Sequence, residues 1–385
     1  MLSRQIKDKL QGLSTPFYLY DMGLLRETLK AAVDESSKYG YKIHYALKAN
    51  FDERIFKTVR EFGMGVDCVS GNEVRYSIES GFPAASVVYA GVGKNDDEIR
   101  YGIEQGIFAF NCESRQEMEI INRIAGEMGK VADIALRINP DVDPHTHKNI
   151  STGHGDSKFG ISYKEIEEVA AKLPELKNIN ITGLHFHIGS QITTMEPFIN
   201  LCQRVNMLYK WFTGRGFRLT HINVGGGLGV NYTNPEAEPI PDFKKYFSIF
   251  AENLDIDPAI EIHFELGRSL VGQCGELITK VLYNKVTAAG SNVAIVDSSM
   301  TDLIRPALYQ AHHAIENLSR NGDKGIYTIA GTVCESSDIF AKGIELSAPL
   351  RGDILTIKTT GAYGSAMASR YNMHDLPKAV YSDDL

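Results

Sequence analysis

The sequence has little that would link it to nucleic acids, membranes or secretion. Its 385 residues include 40 lysines and arginines against 48 aspartates and glutamates, a formal net charge of −8, with no basic run. Nothing therefore indicates nucleic acid or an anionic membrane surface as a partner. No apolar run is long enough to span a bilayer, and the amino terminus is charged rather than apolar, so we expect a cytoplasmic protein.

Cysteines are also few, and none shows paired spacing. The five are Cys68, Cys112, Cys202, Cys274 and Cys334. Their scatter indicates neither a disulfide framework nor a zinc site, so we expect reduced thiols. With 43% hydrophobic residues, the chain is large and apolar enough for a substantial core and for two domains.

Short β-rich runs alternate with amphipathic helices from residue 42 to residue 265, a pattern typical of βα units around a parallel sheet. The predicted strands cover residues 42–47, 66–69, 87–90, 107–110, 132–138, 181–187, 221–224 and 259–265. Eight strands in about 225 residues favour an α/β fold of the (β/α)8 TIM-barrel type, whose usual size is about 250 residues.

After residue 268 this alternation stops, and turns rich in glycine and serine separate shorter β runs. Strands are predicted at residues 277–283, 292–296, 325–329 and 354–359, with one helix-like stretch at 305–318. An early strand at 16–20 lies between a short amino-terminal helix and a helix from 24 to about 38, and is expected to join the later β strands. We therefore predict a segment 1–36 that joins the β domain, a barrel at 37–270 and a mostly β carboxy-terminal domain at 271–385.

Lys48 follows the first predicted strand, at the end of a mostly apolar run. Desolvation lowers the pKa of a lysine and makes its amine nucleophilic, the state needed to hold a carbonyl compound as a Schiff base. From this stretch alone, the alternative is a strand-end lysine whose amine reaches solvent.

Polar side chains lie at or just after the ends of the predicted barrel strands, where TIM barrels carry their active sites. They include Lys48, Asp67, Ser70, Lys94, Asn111, Arg137, Asn139, His187, Ser190 and Glu265. A single polar strand end is unremarkable, but the set predicts a barrel mouth with the groups of an active site.

Four glycines follow the seventh strand: Gly225, Gly226, Gly227 and Gly229. Their spacing does not match a dinucleotide-binding motif. Glycines at this place in a barrel let backbone N–H groups approach a phosphate closely, and late barrel loops commonly bind phosphate. A phosphate loop is therefore favoured over a plain turn.

Glu265 ends the eighth strand and is expected to face the same mouth as Lys48. A carboxylate there can hold a proton on the pyridine nitrogen of a cofactor, so that the ring draws electrons from a substrate carbanion. The alternative is a structural ion pair with Arg268. His187 is positioned to lie flat against such a ring, or simply to be hydrogen-bonded.

The loop after strand five contains Asp141, Asp143, His145, His147 and His154. This mixture matches no defined coordination pattern, so we predict a folded lid and no metal site.

In the β-rich region, Cys334 is followed by Glu335. A thiol beside carboxylates keeps its proton and can act as a general acid if it reaches the barrel mouth, for instance from a second subunit. The alternative for Cys334 is a buried core residue.

Six segments together resemble, in the same order, the motifs of the fold type III pyridoxal-phosphate decarboxylases related to alanine racemase. These segments are residues 45–50, 187–191, 225–229, 305–309, 334–338 and 361–364. The resemblance is closest to the branch that decarboxylates meso-2,6-diaminopimelate to L-lysine and carbon dioxide, the last step of lysine biosynthesis. It implies pyridoxal 5'-phosphate as the cofactor, meso-diaminopimelate as the substrate and a homodimer with shared active sites.

The resemblance also implies a role for each site residue. Lys48 carries the cofactor as a Schiff base, His187 stacks on its ring, Glu265 contacts its nitrogen and Cys334 donates the proton, supplied with Glu335 across a dimer interface. The other implied cofactor-binding residues are Asp67, Ser190, Gly225, Gly226, Gly227, Gly229, Gly267, Arg268 and Tyr363. The implied substrate-binding residues are Arg268, Arg305, Tyr309, Glu335 and Tyr363.

The implied arginines suit a substrate that keeps a carboxylate at its far end, whereas the distal amine of ornithine would favour acids. Three alternatives stay open. One is a related decarboxylase of carboxynorspermidine, ornithine or arginine, another is a lysine-dependent aldolase on the same barrel, and the third is a pyridoxal-phosphate carrier without enzyme activity. The chain departs from the family pattern at Leu266, where proline is usual, at Arg370, where asparagine is usual, and in the tail 373–385.

Overall fold

Eight parallel strands close into a barrel in the computed structural model, which describes residues 12–143 and 158–385. The last strand closes the barrel by pairing with the first, with Glu265 opposite His44. The strands are Lys42–Ala46, Gly65–Cys68, Val87–Tyr89, Ala109–Cys112, Ala132–Asn139, Ile179–His185, His221–Asn223 and Glu261–Leu266. The predicted (β/α)8 barrel is confirmed, and the predicted strand ends differ from the observed ones by at most two residues.

Helices connect the barrel strands. They are Glu53–Glu61, Gly71–Glu79, Asp96–Gln105, Arg115–Glu127, Ile166–Lys172, Glu196–Thr213 and Phe243–Asn253. Five of them begin after a polar residue whose side chain accepts a hydrogen bond from a first-turn N–H group, which satisfies a donor that the helix leaves unpaired. These capping residues are Asp52, Ser70, Asn95, Ser114 and Asp242. None of the helices in the two described ranges combines the length and apolar character needed to cross a bilayer.

The helix Met22–Ser37 packs against the barrel helices Phe243–Asn253 and Glu53–Glu61. It buries Leu25, Leu29 and Ala32, which share one face because they recur every three to four residues. This helix thus covers the seam between the last and first barrel strands. The short helix predicted before residue 12 lies outside the described residues, and the division of the chain at residues 36 and 270 stays a prediction.

The rest of the chain forms a mostly β unit of eight strands. They are Phe17–Tyr20, Gly275–Val286, Asn292–Val296, Ile315–Asn317, Lys324–Ala330, Ile339–Ser347, Ile354–Ile357 and Lys378–Tyr381. Phe17–Tyr20 pairs antiparallel with Gly275–Val286, as expected, and parallel with Lys378–Tyr381. The divergent tail therefore contributes an edge strand to this sheet.

The helix predicted over residues 305–318 is wrong beyond its first turns. Helix Arg305–Tyr309 ends at Gln310, which adopts the left-handed φ of 54° that stops a helix. Ile315–Asn317 is instead a strand, paired antiparallel with Ile354–Ile357. Its buried, exposed, buried alternation has the period of two expected of a strand rather than the 3.6 of a helix.

The β unit is hydrogen-bonded to the turn that carries Lys48. The Tyr363 N–H donates to the Ala49 carbonyl at 2.8 Å, and the Asn50 side-chain amide donates to the Gly361 carbonyl at 2.8 Å. A Cβ atom on Gly361 would lie 1.9 Å from the Val271 carbonyl oxygen, so only glycine permits this close approach. The mouth of the barrel is thus fixed from both sides.

Candidate active site

A cavity of about 480 Å³ opens at the carboxyl ends of the barrel strands, where the β unit meets them. Eleven residues singled out from the sequence line it: Lys48, Arg137, His187, Ser190, Gly227, Glu265, Gly267, Arg268, Arg305, Tyr309 and Tyr363. Phe159 and His185 line it as well. Groups that are up to 315 positions apart in the sequence therefore meet in one ligand-sized space.

Lys48 lies in the turn Leu47–Ala49, directly after the first barrel strand, with its Nζ 3.2 Å from Asp67 Oδ2. Asp67 is fully buried on the neighbouring strand, where it pairs with Ala46. Burial is the largest single effect and lowers the pKa of Lys48, but the attractions of Asp67, Tyr363 and Glu265 together outweigh it, so the pKa is raised. The direction expected from desolvation alone is therefore wrong.

Asp67 responds to the same surroundings. Burial and the charge of Glu265 raise the pKa of Asp67 to about 7, although Lys48 opposes the shift. Its second oxygen, Oδ1, is buried and has no hydrogen-bond partner among the described residues. Asp67 is therefore poised to hold or release a proton beside the Lys48 amine near neutral pH.

Glu265 is buried at the end of the last strand and accepts hydrogen bonds at both oxygens. Oε1 accepts from the side-chain amides of Asn223 at 2.8 Å and Asn111 at 3.1 Å, and Oε2 lies 3.0 Å from His185 Nε2. Burial opposes ionisation, but His185 and then Lys48 hold the pKa of Glu265 well below its usual range. Glu265 is thus a carboxylate fixed in position.

His187 follows the strand Ile179–His185, and its Nδ1 accepts a hydrogen bond from the Gly226 N–H at 3.3 Å. Burial, with the positive charges of Arg137 and Lys48, lowers the pKa of His187 to about 3. Its ring is therefore neutral at physiological pH and lies beside the glycine loop.

The glycine loop is packed so closely that side chains would not fit. Gly225 and Gly227 have φ of 74° and 99°, values that favour glycine. A Cβ on Gly226 would lie 1.8 Å from the Glu265 carbonyl oxygen, and one on Gly227 would lie 2.5 Å from that of Gly189. The loop is therefore a backbone turn in which these three positions accept no larger residue without a shift of the neighbouring backbone.

Arg268 lies beside this loop, at the start of the helix Arg268–Val271. It donates from Nη2 to Ser190 Oγ at 2.9 Å and from Nη1 to the Tyr232 hydroxyl at 2.6 Å, and its guanidinium lies 4.8 Å from the Tyr363 ring centroid. Its Nε is buried and has no partner in the part of the chain that the structure describes. Arg268 forms no ion pair with Glu265 among these residues. The structural ion pair considered from the sequence is therefore not seen there.

Arg305 brings a second guanidinium to the cavity from the β unit. Its Nη1 lies 2.9 Å from His313 Nε2, and its guanidinium lies 4.6 Å from the Tyr232 ring centroid. Burial lowers the pKa of Arg305, although a guanidinium remains charged in proteins. Tyr309, from the same helix, also lines the cavity. Two buried guanidiniums and a hydroxyl suit a carboxylate at this end of the space.

Cys334 and Glu335 do not line the cavity of their own chain. Cys334 is exposed, unlike the other four cysteines, and its N–H donates to Asn372 Oδ1 at 3.3 Å. Glu335 accepts a hydrogen bond from the Tyr371 hydroxyl at 2.6 Å. The expected delivery of both residues from a second subunit therefore stays a prediction.

The loop considered for metal binding lies largely outside the described residues. Asp141 and Asp143 are described, whereas His145, His147 and His154 are not, and neither is the predicted lid. No cluster of three or more histidine, cysteine or acidic side chains suited to a metal ion occurs in residues 12–143 and 158–385.

The sequence did not identify the partners of Glu265. Asn111 was noted as a polar strand end, but neither Asn223 nor His185 was singled out, although each is a polar residue in a predicted barrel strand. The period-two pattern does place His185 on the same face as His187, and that signal could have found it.

The residues present fit a phosphorylated pyridine cofactor. An amine, a neutral aromatic ring and a fixed carboxylate border one cavity. The glycine loop, which is packed too closely for added side chains, lies beside Arg268 and Ser190. The unpaired Nε of Arg268 supplies a further donor for an anion.

The comparisons with known proteins agree with this chemistry. The pyridoxal binding domain of the pyridoxal-dependent decarboxylases matches residues 23–272. A diaminopimelate decarboxylase from Bacteroides thetaiotaomicron is 51% identical over 379 residues, 98% of each chain. One from Aquifex aeolicus is 39% identical and covers 97% of this chain and 88% of its own. The crystal structure of the Helicobacter pylori diaminopimelate decarboxylase complexed with L-lysine is 37% identical, with a TM-score of 0.89 over 97% of this chain and 94% of that one.

Proposed function

The chain belongs to the pyridoxal-dependent decarboxylases and, within them, to the diaminopimelate decarboxylases, and from that premise we propose a role for each of its site residues. The enzyme uses pyridoxal 5'-phosphate to decarboxylate meso-2,6-diaminopimelate to L-lysine and carbon dioxide. The observation that carries the residue roles is the meeting of Lys48, His187 and Glu265 around one cavity.

Bound pyridoxal phosphate supplies a conjugated ring that accepts the electron pair left when the carbon–carboxylate bond of the substrate breaks. Lys48 is the amine that holds the cofactor until the amine of the substrate replaces it. Asp67, 3.2 Å from the Lys48 Nζ, takes or returns the proton of that exchange. Its pKa of about 7 suits this role because proton transfer is most efficient when the pKa lies near the working pH.

Glu265 keeps a proton on the pyridine nitrogen, which makes the ring the stronger electron acceptor. His187 stacks its ring on the cofactor, and its depressed pKa suits this position because a neutral imidazole does not repel the positive pyridinium. Ser190, Arg268, Tyr363 and the glycine loop Gly225–Gly229 bind the phosphate, and this role is supported by the hydrogen bond from Arg268 to the Ser190 hydroxyl beside that loop.

Arg268, Arg305 and Tyr309 hold the carboxylate at the far end of the substrate. The proposal is supported by the burial of both guanidiniums, because charge-assisted hydrogen bonds are strongest where water is excluded. Glu335 takes the distal ammonium. A substrate with an amine but no carboxylate at that end, such as ornithine, would leave two buried positive charges unpaired.

Cys334 of a second chain protonates the substrate carbon after carbon dioxide leaves. This homodimer is supported by the exposure of Cys334 outside its own cavity and by Met373, a 94% exposed apolar residue that follows Asn372, the hydrogen-bond partner of the Cys334 N–H. We also propose a cytoplasmic location, as its charged composition and scattered cysteines suggest.

A substrate panel tests the proposal. The purified protein with pyridoxal phosphate is given meso-diaminopimelate, ornithine, arginine or carboxynorspermidine, and released carbon dioxide is measured. Turnover of meso-diaminopimelate alone is expected, and preference for another substrate would contradict the assigned carboxylate clamp. Lys48→Arg is the matched variant, because it keeps the charge but cannot hold the cofactor, and it should lose both turnover and cofactor absorbance.

A further inference from the structure

Glu265 is surrounded by more hydrogen-bond donors than a single pyridine contact requires. Asn111, Asn223 and His185 all reach its carboxylate, at 3.1, 2.8 and 3.0 Å, and all three are almost completely buried. They come from three different barrel strands, so the arrangement depends on closure of the whole barrel rather than on one local motif.

His185 differs from the two asparagines because, among residues 12–143 and 158–385, it is the one hydrogen-bond partner of Glu265 Oε2. The asparagines both donate to Oε1, and their removal would leave Oε2 in place through the histidine. Because Glu265 is acceptor-only when ionised, His185 Nε2 must carry the proton in this contact. Its Nδ1 is buried and has no partner among the described residues, so Glu265 is the one polar group that this ring contacts there.

Strand geometry explains how the ring reaches this place. Successive side chains on a strand point to opposite faces, so His185 and His187 lie on the same, inward face. His187 approaches the glycine loop, whereas His185 lies one layer deeper, beside Glu265. One strand therefore supplies a histidine to each of two functions.

Donors at a carboxylate stabilise its charged form. When a carboxylate and a pyridine nitrogen share one proton in a buried site, stabilising the carboxylate leaves that proton on the nitrogen. Removing a donor shifts the proton towards the carboxylate and leaves the ring neutral. The charges of Lys48 and Asp67 also act on Glu265, so a test must leave both unchanged.

We propose that His185 is a positioning residue that, through its bond to Glu265 Oε2, keeps the shared proton on the pyridine nitrogen of the cofactor. This inference rests on the proposed function, in which Glu265 faces that nitrogen. His185 does not touch the substrate or the reacting carbon. It sets the electron demand of the ring through Glu265.

The test uses pyridoxal phosphate labelled with ¹⁵N in the ring, bound to the full-length protein at pH 7.5. The nitrogen chemical shift separates a protonated ring from a neutral one without any turnover. His185→Phe removes the donor at similar volume, His185→Gln restores an N–H donor, and Glu265→Gln removes the carboxylate. His221→Phe is the matched control, because His221 is a buried barrel histidine that has no hydrogen bond to Glu265 in the described chain.

In the parent and in His221→Phe, the nitrogen should be protonated. His185→Phe should move the resonance towards neutral pyridine and lower kcat about tenfold or more, in keeping with the loss of a hydrogen bond to a charged group, while KM changes little. His185→Gln should bring the nitrogen resonance and kcat most of the way back to the parent values. If the ring-nitrogen resonance stays parent-like in His185→Phe but shifts in Glu265→Gln, the inference about His185 is wrong and the proposed function stands. A neutral ring in the parent, or no response in Glu265→Gln, would instead contradict the role of Glu265 in the proposed function.

Discussion

The backbone N–H of Tyr363 donates to the carbonyl oxygen of Ala49 at 2.8 Å, so the β unit is bonded to the residue next to Lys48. Tyr363 makes this bond from a left-handed conformation, with φ of 57°, which is costly for a residue other than glycine. Its ring lies against Arg268 in the same cavity. The β unit therefore completes the barrel site rather than merely covering it.

Asp67→Asn should lower the pKa of Lys48, because Asp67 is the largest of the attractions that raise this pKa against burial. A neutral amine is the form that attaches the cofactor, so pyridoxal phosphate should incorporate faster at pH 7.5 and the pH profile of its incorporation rate should move to lower pH. Stopped-flow absorbance after mixing with cofactor-free protein measures both. Asp67→Glu keeps the charge as the control, and an unchanged profile in Asp67→Asn would contradict the ion-pair account.

Gly226→Ala should weaken cofactor binding strongly, because the added Cβ would lie 1.8 Å from the Glu265 carbonyl oxygen. Overpacking of this kind costs about 1–3 kcal/mol. When this energy destabilises the cofactor complex, the affinity for pyridoxal phosphate falls by roughly 10- to 100-fold. Gly93→Ala is the control, since a Cβ there meets nothing within 4 Å although Gly93 lines the same cavity. Titration of both variants with pyridoxal phosphate gives the affinities, and equal losses would refute the loop assignment.

Arg305→Gln should raise KM for meso-diaminopimelate by about 10- to 100-fold, the value of one charge-assisted contact. The effect on kcat should be smaller, because the distal carboxylate is held equally before and during the reaction. Steady-state kinetics separate the two constants. Arg351→Gln, which removes an exposed arginine of the same β unit, should leave both unchanged. A fall in kcat at constant KM would place Arg305 at the reacting carbon instead.

Acid should destabilise the protein through buried histidines of the barrel interior. Burial, with His44 as the next cause, lowers the pKa of His221 to about 3 and that of His263 to about 2. In the unfolded chain both titrate near 6.5, so the unfolded state binds more protons below that pH. Their contribution is complete above pH 6.5 and is lost as pH falls towards the folded values, at about 1.4 kcal/mol per pH unit for each histidine.

His221→Phe removes one of these groups. Between pH 6.5 and 5, the free energy of unfolding of this variant should fall less steeply with pH than that of the parent. The difference should correspond to about one proton fewer taken up on unfolding. Urea unfolding at several pH values measures the slopes. Identical slopes would mean that His221 is already protonated in the folded state, or that it is not protonated in the unfolded one.

The strand order and the polar strand ends could be predicted because the βα alternation and the period of each element are local properties. Lys48 and Glu265 were assigned to one mouth on that basis, and they do line one cavity. Side-chain contacts between strands could not be predicted. The hydrogen-bond donors around Glu265, for example, lie on strands that are far apart in the sequence and meet only when the barrel closes.

Two errors have similar physical causes. The pKa of Lys48 was expected to be lowered by desolvation, but Asp67 on the neighbouring strand, together with Tyr363 and Glu265, reverses the shift. Residues 305–318 were predicted as one helix-like stretch, whereas the backbone turns at Gln310 and Ile315–Asn317 pairs with Ile354–Ile357. In each case a tertiary contact overrides a local tendency.

Mixing two inactive variants shows whether Lys48 of one chain works with Cys334 of another. Lys48→Ala and Cys334→Ala are each purified, unfolded and refolded together, and carbon dioxide release from meso-diaminopimelate is measured. In a two-fold dimer with shared sites, a mixed dimer contains one site with both intact residues, so mixing should restore about one quarter of parent activity. If the mixture stays as inactive as the separate variants, although mixed dimers form, the two residues act within one chain and the shared-site account is wrong.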